Sequence, residues 1–216
     1  RIEPRHDTAL AFEVGGRISA RLVDVGDTVV AGAVLARLDD SDLRLRERDL
    51  AARLAASEAD RADAATALRR ATDLRPKGFV SQAELDRASY RAQASAAQAQ
   101  ALAAQFALAR RELAYAALTA PAAGVITARQ ADAGQVVSAG QSAFTLAQAG
   151  GVEVVFDLPE SQRTALPDTV QVTLWTQPEH AVTARVREVA PQAADASRTY
   201  RVRATLPASD SPPALG

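Results

Sequence analysis

The apolar positions of the chain follow three rhythms. Early on, Leu10, Phe12 and Val14 alternate with small or polar neighbours. Ile18, Leu22, Val25, Val29, Leu35 and Leu38 then follow in short runs broken by Gly15-Gly16, Gly26-Asp27 and Gly32. Alternation punctuated by glycine predicts short strands joined by tight turns. Further on, Leu85, Ala88, Ala92, Ser95, Ala99, Leu102, Phe106, Ala109, Leu113 and Ala116 step by three and four residues throughout. That is the seam of a coiled-coil helix, with small residues that let a partner come close. A weaker seam precedes it: Leu43, Glu47, Leu50, Leu54, Ser57, Arg61, Ala64, Leu68 and Ala71, of which Glu47, Ser57 and Arg61 are polar. After residue 150 alternation returns in Val152/Val154/Phe156, Val170/Val172/Leu174, Val182/Ala184/Val186 and Val202/Ala204/Leu206, with Pro159 placed to open a short helix. Several short strands with Pro and Asp turns predict a small barrel.

The two helical seams lie in one stretch, Ser41 to Ala117, whose 77 residues hold a single proline, Pro76, and a single glycine, Gly78. Helix interiors exclude proline and tolerate glycine poorly. The stretch therefore predicts two helices, 41–74 and 82–117, with a reversal at 75–80: an antiparallel hairpin with arms of about 50 Å at ~1.5 Å per residue. Asp39, Asp40, Ser41 and Asp42 supply caps and negative charge at the first helix start. Ser81 with Glu84 forms a capping box, and Val80 and Leu85 are placed for a hydrophobic staple.

The glycine-punctuated pattern occurs twice. Gly16-Arg17-Ile18-Ser19-Ala20-Arg21 matches Gly124-Val125-Ile126-Thr127-Ala128-Arg129, Gly26 matches Gly134, Val29 matches Val137, Gly32 matches Gly140 and Leu38 matches Leu146, every pair 108 apart. Glycines repeated at a fixed offset predict repeated turns. Residues 9–39 and 118–149 are two halves of one β unit, with the hairpin inserted between them.

Composition narrows the chemistry. The net charge is −1, so no broad nucleic-acid footprint is expected. There is no cysteine, hence no disulfide, thiol nucleophile or thiolate metal site. There is no methionine either, so the chain reads as a processed or trimmed piece. Within the helical stretch the longest uncharged run, the 18 residues Ala92–Ala109, holds four glutamines and a serine and does not read as a membrane span. His6 and His180 stand alone, whereas zinc wants three or four converging ligands. No P-loop, dinucleotide or nucleophile-elbow motif is present. No cofactor, metal or catalytic residue is expected.

Two such half-motifs flanking a helical hairpin resemble the split lipoyl-like domain of periplasmic adaptors, the membrane fusion protein (HlyD-like) family. The phrases that carry the resemblance are Leu10–Ile18, Val25–Val29, Gly32–Asp39 and Leu118–Ile126. At the hairpin apex, Arg70, Leu74 and Ser81 have the spacing by which such adaptors dock on an outer-membrane channel, and Phe79 lies there beside Arg69, Arg70 and Arg75. The resemblance implies a mixed α and β, elongated, multidomain protein. Its parts are a strand stub over 1–8, a lipoyl-like β-sandwich split into 9–39 and 118–149, a coiled-coil hairpin over 40–117, and an incomplete β-barrel domain over 150–216. It implies a non-enzymatic adaptor in the Gram-negative periplasm. Such an adaptor would link an inner-membrane transporter of the resistance-nodulation-division (RND) type to an outer-membrane channel. It would assemble as a hexameric ring and meet the membrane through parts outside this chain. An ABC-type exporter is the alternative transporter. A lipoyl or biotinyl carrier is a distant alternative, because the only lysine, Lys77, lies at the far end of the insert.

Overall fold

A computed structural model describes residues 1–174, 177–193 and 199–207. The end of the expected barrel domain, 208–216, and the side chain of His180 lie outside the described residues. The first part of the chain forms β1 (Ile2–Pro4), β2 (Asp7–Ala11), β3 (Gly16–Arg21), β4 (Thr28–Val29) and β5 (Val34–Leu38). The hairpin helices α1 (Ser41–Leu74) and α2 (Gln82–Ala114) follow, joined through a 3-10 turn, Arg75–Lys77. Then come β6 (Ala117–Thr119), β7 (Gly124–Arg129), β8 (Val136–Val137) and β9 (Ser142–Gln148). The last part holds β10 (Val152–Pro159), a 3-10 helix over Glu160–Ala165, β11 (Thr169–Leu174), β12 (Gln177–Val189) and β13 (Thr199–Thr205).

Strands β2 to β9 make two four-stranded sheets, ordered β2-β9-β7-β4 and β6-β5-β3-β8. Each sheet takes two strands from either side of the hairpin, so neither half has a sheet of its own. The sequence repeat becomes a pseudo-twofold in hydrogen bonds. Gly26 N–H bonds the Ile126 carbonyl and Gly134 N–H bonds the Ile18 carbonyl, both at 2.8 Å. Gly32 N–H bonds the Ala120 carbonyl at 2.8 Å and Gly140 N–H the Phe12 carbonyl at 2.9 Å. Equivalent side chains meet in one core, among them Ile18 with Ile126, Leu38 with Leu146 and Val29 with Val137, and Phe12 and Phe144 add their rings to it.

Glycine serves two purposes here. Gly26 and Gly134 turn the chain at φ 95° and 88°, a region that costs other residues steric strain, and Gly32 and Gly140 repeat this at 80° and 79°. Gly16 and Gly124, expected as turns, instead open strands β3 and β7 and carry no positive φ. Their reason is close approach. A Cβ on Gly124 would collide with the Ala147 carbonyl oxygen, and one on Gly16 would lie 3.3 Å from the Leu38 side chain.

The first helix has the expected bounds, but α2 stops at Ala114, three residues before the expected 117. The sheet claims those residues. Leu38 N–H bonds the Ala116 carbonyl at 2.8 Å, and Ala117 and Leu118 pair with Arg37 and Ala36 of β5. Every seam position of α2 is buried or half-buried, as is every expected position of the first seam except Arg61, which is exposed. A long guanidinium stem reaches water readily from such a place. Asp40 occupies the N-cap of α1 without capping it, because its carboxylate grips the Arg44 guanidinium through two 2.8 Å bonds. Asp39 takes the role instead, accepting from the Ser41 N–H at 3.2 Å and the Ser41 hydroxyl at 2.7 Å.

Strand β1 pairs with β10, and the described strands of the last part form an open antiparallel sheet, β1-β10-β13-β12-β11. The expected stub over 1–8 thus divides: Ile2–Pro4 joins this sheet, and Asp7 and Thr8 already belong to β2. Ala184, Ala204 and Leu206 form its core, packed by Val152, Val154, Phe156, Val170, Val172, Val182 and Val186.

The hairpin tip as a candidate docking site

Helix α1 runs to Leu74, and Pro76 then sits where the 3-10 turn needs no donor. Gly78 reverses the chain at φ 77°, with its N–H on the Arg75 carbonyl at 3.1 Å and the Phe79 N–H on the Leu74 carbonyl at 3.3 Å. Ser81 then caps α2. Its hydroxyl accepts from the Glu84 N–H at 3.2 Å, and the Glu84 carboxylate accepts from the Ser81 N–H at 2.8 Å and the Ser81 hydroxyl at 2.9 Å. These bonds, the backbone one foremost, hold the Glu84 carboxyl below the usual carboxylate range. Arg75 and Gln82 tie the two helix ends across the loop at 3.2 Å, and Gln82 in turn donates to Asp86 at 2.8 Å.

The structure brings the three predicted docking residues to this apex but gives them different tasks. Arg70 and Leu74 lie one helical turn apart on α1, where residues four apart share a face. The Arg70 side chain is exposed and makes no hydrogen bond or ion pair with the described residues, and Leu74 is 38% exposed. Ser81 has its hydroxyl engaged inside the chain, as donor and as acceptor. Lys77 is exposed on the turn.

A second cluster was not legible in the sequence. Glu153 is fully buried on β10, with the Arg187 guanidinium at 2.7 and 3.2 Å, Arg203 at 3.8 Å and Arg5 at 3.9 Å. Burial pushes its carboxyl up, and the Arg187 bonds with the charges of Arg187, Arg203 and Arg5 outweigh that and hold it low. The register of β12 shifts between Val186 and Glu188, which puts Arg187 at an irregularity against β13. Alternation placed Glu153 on a polar face. Nothing in the local sequence gave that face a cover drawn from residues 5, 187 and 203. Among the described residues no group of three or more His, Asp or Glu side chains could hold a metal, and no helix is long and apolar enough to cross a membrane.

Comparison with known proteins bears on this architecture. A family model described as the RND MFP (membrane fusion protein) barrel-sandwich hybrid domain matches residues 9–148, across the hairpin, and one described as a CusB-like β-barrel domain matches residues 152–212. The chain is 32% identical over 154 residues to the multidrug resistance protein MdtA of Erwinia amylovora, covering 70% of this chain and 38% of that protein. It is 29% identical over 171 residues to the MdtA of Yersinia pestis, covering 78% of this chain and again 38% of the relative. The chain thus spans 38% of the length of these curated relatives. Among solved structures, the membrane fusion protein Spr0693 of Streptococcus pneumoniae superposes with a TM-score of 0.72 at 17% identity, over 97% of this chain and 92% of that one. A MacA-MexA chimera carrying the Pseudomonas aeruginosa MexA α-hairpin gives a TM-score of 0.69 at 20% identity, over 94% and 72%. At these identities the structures speak to the fold.

Proposed function

Because the chain belongs to the RND membrane fusion protein family, we propose that it is the periplasmic adaptor of a tripartite efflux pump, joining an inner-membrane RND transporter to an outer-membrane channel. The relatives named for multidrug resistance favour toxic small molecules as the exported class. The match to an RND-type family favours that transporter over an ABC-type exporter. The role is mechanical: the sandwich and barrel hold the base while the hairpin spans toward the channel, and no bond is made or broken. Several copies side by side, six for a closed ring of this family, would seal the conduit.

The observation that carries the docking end is the apex itself. Arg70 and Leu74 are presented, their side chains unengaged in hydrogen bonds or ion pairs with the described residues, at the end of α1, beside a loop whose far side is fixed by the Ser81–Glu84 box. A guanidinium reaches carbonyls and carboxylates, and a neighbouring leucine fills a groove between helix ends. The test is cysteine cross-linking in whole cells, between Arg70→Cys or Leu74→Cys of the full-length protein and cysteines on the periplasmic end of the channel. Cross-links at the tip and none from Arg53→Cys are expected. Cross-links absent at both tip positions, with the protein present and folded, would remove the channel as the partner of this end.

A further inference from the structure

Phe79 is the most exposed large apolar side chain among the described residues, with 76% of its surface open. It sits on a backbone pinned from both sides, by the Leu74 carbonyl before it and the capping box after it. An aromatic ring on a fixed frame has little freedom left to lose on binding, which is the property of an interface anchor. Around it, residues 69–80 carry four cations, Arg69, Arg70, Arg75 and Lys77, against one carboxylate, Asp73. Arg75 and Lys77 belong to the 3-10 turn that follows α1, where the Arg75 guanidinium donates to the Gln82 side chain at 3.2 Å. Arg69 and Arg70 lie a turn earlier, are exposed and make no ion pair with the described residues. The tip is therefore an aromatic knob in an uncompensated basic collar, and Leu74 is half-open beside it.

We infer that Phe79 is the apolar anchor of the tip, entering an apolar pocket rimmed by carboxylates on the channel protein, and that Ser81 acts by holding the loop and does not touch the partner. This rests on the reading that the tip docks on the channel. A protein pocket is favoured over a lipid surface because one ring and one leucine offer far less apolar area than an interfacial helix uses. Ser81 is assigned the holding role because its one hydroxyl proton is already given to Glu84.

The experiment uses the full-length protein in cells, cross-linked from Lys77→Cys to single cysteines at the periplasmic end of the outer-membrane efflux channel of the source strain. Phe79→Ala is expected to lower the yield at least about tenfold, with circular dichroism unchanged because the side chain is solvent-facing. Ser81→Asn is expected to leave it near wild type, since asparagine caps a helix as well as serine. Full yield with Phe79→Ala, while Leu74→Asp abolishes it, would overturn the anchor and leave tip docking standing. Loss with Ser81→Asn at unchanged helicity would overturn the holding role. No cross-link from the unsubstituted tip would end both the docking reading and this inference. If the purified protein binds phosphatidylglycerol vesicles through Phe79 while channel cross-linking is indifferent to it, the ring belongs to a membrane contact and the proposal fails.

Discussion

Glu153 shows how much a single residue can hold. Its carboxylate has no exposed surface, while Arg187, Arg203 and Arg5 around it are each about one third to two fifths exposed. Removing one partner of a buried charge cluster leaves the others uncompensated, at about 3–5 kcal/mol when all are buried. Here the guanidiniums reach solvent, so Glu153→Gln should cost about 2 kcal/mol in urea unfolding at neutral pH. The carboxyl is held low in the folded state and is ordinary when unfolded. Its contribution is therefore complete above the ordinary carboxylate range and fades as pH falls through the depressed folded value. Unfolding curves of wild type and Glu153→Gln should converge on acidification, and a gap that stays constant down to strongly acid pH would rule the carboxylate out as its source. Glycine gives a second contrast. Gly124→Ala drives a methyl into the Ala147 carbonyl and should cost about 3 kcal/mol. Gly26→Ala meets open space and only the backbone strain at φ 95°, about 1 kcal/mol. Equal losses in thermal melts would contradict the distinction. These differences were hidden in the sequence: Gly16, Gly26, Gly124 and Gly134 recur at the same offset, and spacing does not separate a turn from a close approach.

At the scale of elements, the helices were the most legible part. A three-four seam over more than thirty residues and a Pro-Gly reversal leave little choice of structure, and the α2 seam is buried or half-buried along its length. What the pattern missed is competition from neighbours. Asp40 reads as a cap until Arg44 takes its carboxylate, and residues 115–117 read as helix until a turn at 115–116 delivers Ala117 to the strand that pairs with β5. The α1 seam also carries a testable imperfection. Ser57 is 8% exposed, a polar residue buried at a seam position in mid-helix. Alanine has the better helix propensity by about half a kcal/mol and no polar group to desolvate. Ser57→Ala should raise hairpin stability by about 0.5–1 kcal/mol, read as a higher melting temperature of the helical circular-dichroism signal. An unchanged or lower value would mean that the hydroxyl has a stabilising partner in the seam. At the other end, Ser81→Ala should cost about 1 kcal/mol and let the Glu84 carboxyl rise toward its ordinary value in an NMR titration. The rise should be partial, because the Ser81 backbone N–H still donates.

For the whole molecule, the 108-residue repeat turns into a statement about independence. The β unit draws its core from both flanks of the hairpin, and among the described apolar residues of α1 and α2 Leu43 is the one packed against it. The hairpin leaves and re-enters through adjacent antiparallel strands, with Arg37 opposite Ala117 and the Leu38 N–H on the Ala116 carbonyl. Those two strands are already the arms of a β-hairpin whose loop has been enlarged into two helices. Replacing residues 41–114 by a short Asn-Gly type turn should therefore leave a folded sandwich, because loop length enters folding only logarithmically and the strands keep their register. The shortened protein should give a dispersed amide NMR spectrum and a cooperative melt with the helical signal gone. The converse also follows. A fragment ending at residue 39 should not fold alone, because both sheets need strands from the far side of the hairpin. If the shortened chain were molten, or the isolated first half folded, the sandwich would not be the self-contained base on which the hairpin stands. The tip would then have to be stabilised from elsewhere, either by neighbouring copies or by the partner it meets.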